Sequence, residues 1–188
     1  MKILLLHSDF IEFEPKQKAI KLAEESSGKQ RIEECLVVLI AVEDRDEKNP
    51  EQTAKNLAEE VTSVAKEVKA NNIVLYPYAH LSKDLSSPDV ALLILKETEK
   101  LLKNDFSVVR APFGWYKKFS ISVKGHPLSE LSREIGEEIP EALKKEEKLK
   151  SEWFIMDPKG KLIKLELENK EISGFDFTKY KNLEKMVK

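Results

Sequence analysis

A layered α/β domain is what the sequence predicts, and three observations predict it. Residues 35–42 (CLVVLIAV) are apolar throughout, as a strand covered on both faces is. An amphipathic helix with its own start signal follows from Asn49. Strand and helix patterns then keep alternating through residue 109, which marks a sheet with helices laid against it.

Taken in order, residues 3–6 form an apolar run between Lys2 and the polar triplet His7, Ser8 and Asp9, predicting a first buried strand. Ile11 and Phe13 then alternate with Glu12 and Glu14, predicting a second strand with one wet face, closed by Pro15. Residues 16–31 are polar, break at Ser26, Ser27 and Gly28, and carry little signal. The strand over 35–42 includes the single cysteine, Cys35, which reads as a small buried apolar side chain. A charged loop over 43–48 leads to Asn49, Pro50 and Gln52, which supply a cap, a first-turn proline and a capping-box partner. Ala54, Leu57, Ala58, Val61, Val64, Ala65 and Val68 keep one apolar stripe until Asn71 and Asn72. A short buried strand over 73–75 ends in a loop, Tyr76 to His80, at the strand end where layered α/β folds bind ligands. Ser86, Ser87 and Pro88 start a second helix with Val90, Leu93, Ile94, Leu101 and Leu102 expected inward, and residues 106–109 read as a strand.

The densest stretch runs from Arg110 to Leu131. Pro112 and Gly114 force a turn, after which Phe119, Ile121 and Val123 share one strand face and Lys118, Ser120, Ser122 and Lys124 the other. Gly125, His126 and Pro127 break that strand, and the spacing of Leu128, Leu131 and Ile135 predicts a helix carrying Glu130 and Glu134. Between Arg110 and Lys124 there are four cations and no acid, in a chain of formal net charge -2. Two readings fit. One is a landing place for an anion, with the interleaved Phe113, Trp115 and Tyr116 suited to a nucleic-acid end. The other is a solvated lysine-bearing strand beside a turn of core aromatics.

Composition narrows the classes. With 188 residues and 41% apolar residues, one globular core and a small appended unit are expected. No apolar run approaches the ~18 residues of a membrane span, and MKILLLHSDF turns polar too soon for a signal peptide, so a soluble cytoplasmic protein is expected. One cysteine excludes an internal disulfide, and three scattered histidines offer no paired metal-ligand spacing, so no metal site is expected. Net charge near zero argues against a general nucleic-acid coat; any RNA contact must be local. Between residues 137 and 150 nine of fourteen residues are charged, which reads as a linker or a solvated helix. Residues 153–156 and 162–167 read as two strands around the turn at Asp157, Pro158 and Gly160, and a helix is expected after Thr178. With no stop signal at Lys188, the chain reads as the front of something longer.

Four motifs carry a resemblance: HSD at His7–Asp9, YPYAHLS at Tyr76–Ser82, APFGWYK at Ala111–Lys117 and KGHPLSELSR at Lys124–Arg133. In order and spacing they resemble the N-terminal editing domain of archaeal threonyl-tRNA synthetase, a relative of the D-aminoacyl-tRNA deacylases. The resemblance implies a mixed sheet with helices on one side in β/β/α layers over residues 1–136, a charged linker over 137–150, and a connector over 151–188 with a small β-hairpin, leading towards an absent aminoacylation domain. It implies hydrolysis of serine mischarged on threonine tRNA. A binding pocket gains only about 1–3 kcal/mol from the methyl group that separates threonine from serine, so a second, hydrolytic site is needed.

The positions carried over are Val42, Ala79 and Phe113, offering largely backbone groups to the substrate, and His80, Tyr116, Lys117 and Glu130 as polar residues. On ester chemistry Lys117 is expected to position water and stabilise charge, Tyr116 to orient it, Glu130 to pair with Lys117 or anchor the substrate amine, and His80 to contact adenosine or amino acid. The resemblance also implies that the sugar hydroxyl beside the ester assists, which fits the lack of a Ser-His-Asp or Cys-His pattern. No cofactor is implied for this chain; ATP and zinc belong to the missing aminoacylation domain. The resemblance further implies a homodimer, the threonine tRNA 3′ end as partner, and the rest of the synthetase. Competing readings are a D-aminoacyl-tRNA deacylase, a non-catalytic tRNA-end-binding module, and an inactive domain that only joins subunits.

Overall fold

The computed structural model describes residues 1–26, 28–136 and three strands beyond them, 153–156, 162–168 and 171–173. The chain divides into two compact units, Met1–Glu137 and Glu138–Lys188. The expected linker over 137–150 and helix after Thr178 lie outside the described residues.

The first unit runs β1 (Lys2–Lys18), β2 (Gln30–Ala41), α1 (Pro50–Val68), β3 (Asn72–Pro77), α2 (Pro88–Leu102), β4 (Ser107–Arg110), β5 (Trp115–Val123) and β6 (Glu130–Glu134). The six strands form one mixed sheet in the order β4-β3-β2-β1-β5, with β6 also on β1. β2, β3 and β4 are parallel and β1 is antiparallel to its neighbours. The crossovers β2–α1–β3 and β3–α2–β4 step the same way across the sheet, and right-handed crossovers then place both helices on one face. There α1 and α2 pack on Ile3, Leu5, Leu36, Val38, Ile40, Ile73 and Leu75. The alternate residues of the same strands, Val37, Leu39, Val74 and Tyr76, join Ile11, Phe13 and Cys35 in a second apolar cluster on the other face. The α/β class with a layered mixed sheet and helices on one side is therefore observed. The second unit contains β7 (Trp153–Met156), β8 (Leu162–Glu168) and β9 (Glu171–Ser173), an antiparallel meander that extends the expected hairpin by one strand.

The start signal of α1 is used as written: Asn49 Oδ1 accepts the Gln52 N–H at 3.2 Å. The helix ends earlier than the asparagines, at Lys69, which adopts the left-handed conformation (φ 59°) that closes helices but strains a residue with a Cβ. Lys69 is exposed, so Lys69→Gly is expected to raise the free energy of unfolding by about 1 kcal/mol, measured by chemical denaturation. Asn72 instead opens β3, its amide donating to Glu33 O at 3.0 Å.

Four expectations are corrected. Residues 3–6 and 10–14 are not two strands but parts of β1, and Pro15 does not close it. β2 stops pairing at Phe13, so Pro15 has a strand on one side only and lies at a register shift, positions where a missing N–H is tolerated. The predicted helix over Leu128–Ile135 is strand β6, paired with residues 2–6 of β1. Because β5 takes only residues 8–18, that edge of β1 stands open, and the four-residue step from Leu131 to Ile135 fits a period of two as well as a helix. In α2, Leu93 and Leu101 face solvent, 48% and 36% exposed, while Ala91, Leu95 and Thr98 take the core. Thr98 is admitted because its hydroxyl donates to Ile94 O at 2.8 Å. On β5, Ile121 and Val123 pack as expected on the second cluster, but Phe119 is exposed.

Midway along β1 the pairing skips Asp9, and opposite it Glu34 on β2 has φ 46°. This irregularity shifts the buried parity from Leu6 to Ile11, so one apolar face continues along a seventeen-residue strand. Lys124 pins it, reaching Asp9 at 2.7 Å and Glu34 at 2.8 Å. Beside it His7 Nδ1 meets His126 Nε2 at 2.7 Å where β1 passes from β5 to β6. Burial and the neighbouring His126 hold His7 below the ordinary imidazole range. His126 also serves the turn, its Nδ1 accepting the Leu128 N–H at 3.2 Å.

Candidate active site

A cavity of about 510 Å³ opens at the C-terminal ends of β2 and β3, bounded by the turn before β5. Apolar strand ends build its floor, Ile40 to Val42 and Tyr76 to Tyr78. Backbone bonds fix the rim: Tyr78 N–H donates to Ile40 O at 2.8 Å, and Ser86 N–H to Val42 O at 3.1 Å. Glu43, just past Val42, accepts the Ser82 hydroxyl at 2.6 Å and so ties the turn bearing Ala79 and His80 to the end of β2. Burial opposes its charge, yet bonds from Ser82, the chain's ammonium and Arg45 hold the Glu43 carboxyl at about 2.

Of the seven residues singled out from the sequence, Val42, Ala79, His80, Phe113, Tyr116 and Lys117 all line this cavity. Glu130 does not. On β1 it lies opposite Leu6, whereas Lys117 lies opposite Pro15, nine residues away, roughly 30 Å of strand. The chain does not bring the two together, and among the described residues no carboxylate lies within salt-bridge range of Lys117.

Lys117 is half-buried and donates to Pro112 O and Trp115 O, each at 3.2 Å. Its Nζ stands 4.9 Å from the centroid of the buried Tyr76 ring. Those contacts satisfy an ammonium only partly, and burial lowers the pKa of Lys117 to about 8. At neutral pH it remains mainly a cation while holding an accessible neutral form. Tyr116 does not bond it: consecutive strand residues point to opposite faces, and Tyr116 is 60% exposed. His80 is also exposed, its ring edge-on to Tyr78 at 5.3 Å, with Tyr78 edge-on to Phe119 at 6.4 Å. These rings make an aromatic rim.

The cation count of the focal stretch shrinks on inspection. Arg110 is held by Glu24 and Glu99, and Lys124 by Asp9 and Glu34. Lys117 and Lys118 remain without a carboxylate in range among the described residues. The backbone of Phe113 is engaged within the chain: its N–H donates to Glu24 Oε2 at 3.0 Å and its carbonyl accepts the Glu24 N–H at 3.2 Å. Residues missed from sequence are Tyr76, which was read as loop but lies under Lys117, and Glu24 with Arg110, whose carboxylate and guanidinium are 86 residues apart. No local signal joins such a pair.

Chemically, the site offers one poised amine, an aromatic rim and an apolar floor. Ser86 lines it, but its hydroxyl donates to Ser87 O at 3.2 Å, and Cys35 is buried with its thiol pushed up to about 11 by burial. Neither is an activated nucleophile. Among the described residues no group of three or more His, Cys, Asp or Glu side chains is arranged to hold a metal, and no helix is long and apolar enough to cross a membrane.

Residues 1–135 match the model of the archaea-specific editing domain of threonyl-tRNA synthetase. The chain is 52% identical to the threonine--tRNA ligase of Thermococcus sibiricus over 198 residues, covering 100% of this chain and 31% of that protein. It is 50% identical to the same enzyme of Pyrococcus horikoshii over 198 residues, again covering 100% and 31%. Against that of Methanocaldococcus jannaschii it is 52% identical over 175 residues, covering 92% and 27%. The chain thus spans about a third of the length of these curated relatives. The match over residues 1–135 and these identities place this chain in the archaea-specific editing-domain family of threonyl-tRNA synthetase.

Proposed function

We propose that this chain hydrolyses serine esterified in error to the 3′ end of threonine tRNA, within the cavity that Lys117 lines. The observation that carries the reading is Lys117 itself: a half-buried amine with no carboxylate in range, its pKa lowered to about 8, facing a cavity with no activated nucleophile. Water then attacks the ester carbonyl carbon. The carbonyl π pair moves onto its oxygen, and the Lys117 ammonium stabilises that charge and orients the water. The carbon–oxygen bond to the ribose breaks as the tetrahedral centre collapses, and the ribose oxygen leaves with the proton that the water gave up. The sugar hydroxyl beside the ester is the nearest group able to relay it. Phe113, Val42 and Ala79 wall the substrate, and His80 with Tyr78 offers ring faces to the terminal base.

Residues 1–136 supply this site, and residues 151–188 connect it to the aminoacylation part of a longer synthetase chain. The reading includes a homodimer of this chain; Glu130, remote from the cavity in its own chain, takes no part in the step above. The test compares release of L-serine, L-threonine and D-serine from threonine tRNA by the 188-residue chain. Rapid loss of L-serine alone is expected. Loss of D-serine with L-serine spared would point to a chirality-based deacylase, and binding of the tRNA end without release of any amino acid would overturn catalysis.

A further inference from the structure

We propose that Glu24 is a positioning residue of this site: gripped by Arg110 and bound to the Phe113 N–H, it latches residues 19–24 across the turn at 112–115 as a wall of the cavity. The inference rests on the functional reading above and adds to it the group that seats the wall. Residues 19–24 leave the sheet after β1, and Ala19 and Ile20 line the cavity beside the turn that carries Phe113 and Trp115.

Four contacts hold the two segments together, Glu24 making three of them, and a fifth ties Glu24 to Arg110. Ala19 N–H donates to Gly114 O at 2.7 Å, and Glu24 N–H to Phe113 O at 3.2 Å. The Glu24 carboxylate accepts from Phe113 N–H at 3.0 Å and from the Arg110 guanidinium, one of whose bonds is 2.9 Å. The Trp115 indole N–H donates to Glu24 O at 2.8 Å. The approach is close enough to require a glycine: a Cβ at Gly114, where φ is 80°, would lie 2.8 Å from Ile20 Cγ1 and 2.9 Å from Ala23 Cα.

Arg110 has a second carboxylate, Glu99 Oε2 at 2.7 Å, on α2. Glu99 makes no contact with residues 112–115 among its hydrogen bonds and ion pairs. The pair therefore separates latching from general stability. Glu24 and Glu99 both neutralise the same partly buried guanidinium, but only Glu24 touches the wall. Bidentate Arg–carboxylate bonds fix geometry as well as charge, which suits a device that sets cavity width.

The experiment measures binding of adenosine carrying serine through a 3′ amide, by calorimetry, for the 188-residue chain and its Glu24→Gln and Glu99→Gln variants, with melting temperatures alongside. The latch predicts that Glu24→Gln weakens binding about tenfold and raises KM for seryl-tRNA by a similar factor with kcat within about twofold. Glu99→Gln is expected to bind as the unaltered chain does, even if it melts earlier. Equal binding by Glu24→Gln and the unaltered chain would overturn the inference alone. So would equal weakening in both variants in step with melting temperature, because that is loss of folding rather than of a wall. An unaltered chain that binds no analogue overturns the functional reading and the latch with it.

Discussion

Replacing Lys117 with methionine is expected to lower the rate of seryl-tRNA hydrolysis about a thousandfold, ~4 kcal/mol of transition-state stabilisation, the scale on which a single oxyanion donor acts. Methionine keeps the length and apolar stem that pack above Tyr76, so the cavity keeps its shape while losing its cation. Stability should move the other way. Lys117 titrates at about 8 in the folded chain, against an ordinary value of 10.5, so folding disfavours its charged form. The unfolded chain binds more protons between those values, and stability rises with pH across that window. Below pH 8 the full penalty is present. At pH 7 Lys117→Met is therefore expected to raise the free energy of unfolding by on the order of 1 kcal/mol, net of the two lost hydrogen bonds. A variant that is less active and more stable marks a residue kept for chemistry. Equal activity with and without the amine would remove Lys117 from the mechanism.

The largest structural effect is expected at Arg110. Arg110→Met leaves the Glu24 and Glu99 carboxylates facing one another with their shared cation gone. Breaking such a partly buried pair from one side costs about 3 kcal/mol. Burial opposes their charge, but bonds from Arg110 to Glu24, and from Lys103 and then Arg110 to Glu99, hold both carboxyls below the ordinary range, so both are ionised at neutral pH. Since their folded pKa values are depressed, the stabilisation is complete above about 4.5 and is lost as pH falls through the folded values. The gap between the unaltered chain and Arg110→Met should thus be widest at pH 7 and shrink towards pH 3 in chemical denaturation. A gap independent of pH would mean that the arginine contributes through its apolar stem, not its charge.

These two residues show what the sequence made legible and what it did not. α1 was readable because its start signal is local: Asn49, Pro50 and Gln52 act within one turn. The strand over 35–42 was readable because burial on both faces leaves a continuous apolar run. β6 was not, since five residues on an open edge are decided by the strand that they pair with rather than by their own pattern. The motif positions converge on one cavity, all but Glu130. Glu24 stands in a polar loop with no periodicity, and only folding brings it to Arg110. Nor does sequence show how far burial shifts the amine of Lys117, because that depends on the carbonyls of Pro112 and Trp115 and on the Tyr76 ring beneath it.

The central claim is that Lys117 acts as a cation, and the pH dependence of single-turnover seryl-tRNA hydrolysis tests it most directly. Rates from about pH 6 to 9.5, corrected for hydrolysis without protein, are expected to be level below neutrality and to fall about tenfold per unit above pH 8, as the ammonium is lost. Lys117→Met should lack that fall. A rate that instead rises through pH 8 to a plateau would contradict the account, making the neutral amine a base that takes the proton from water.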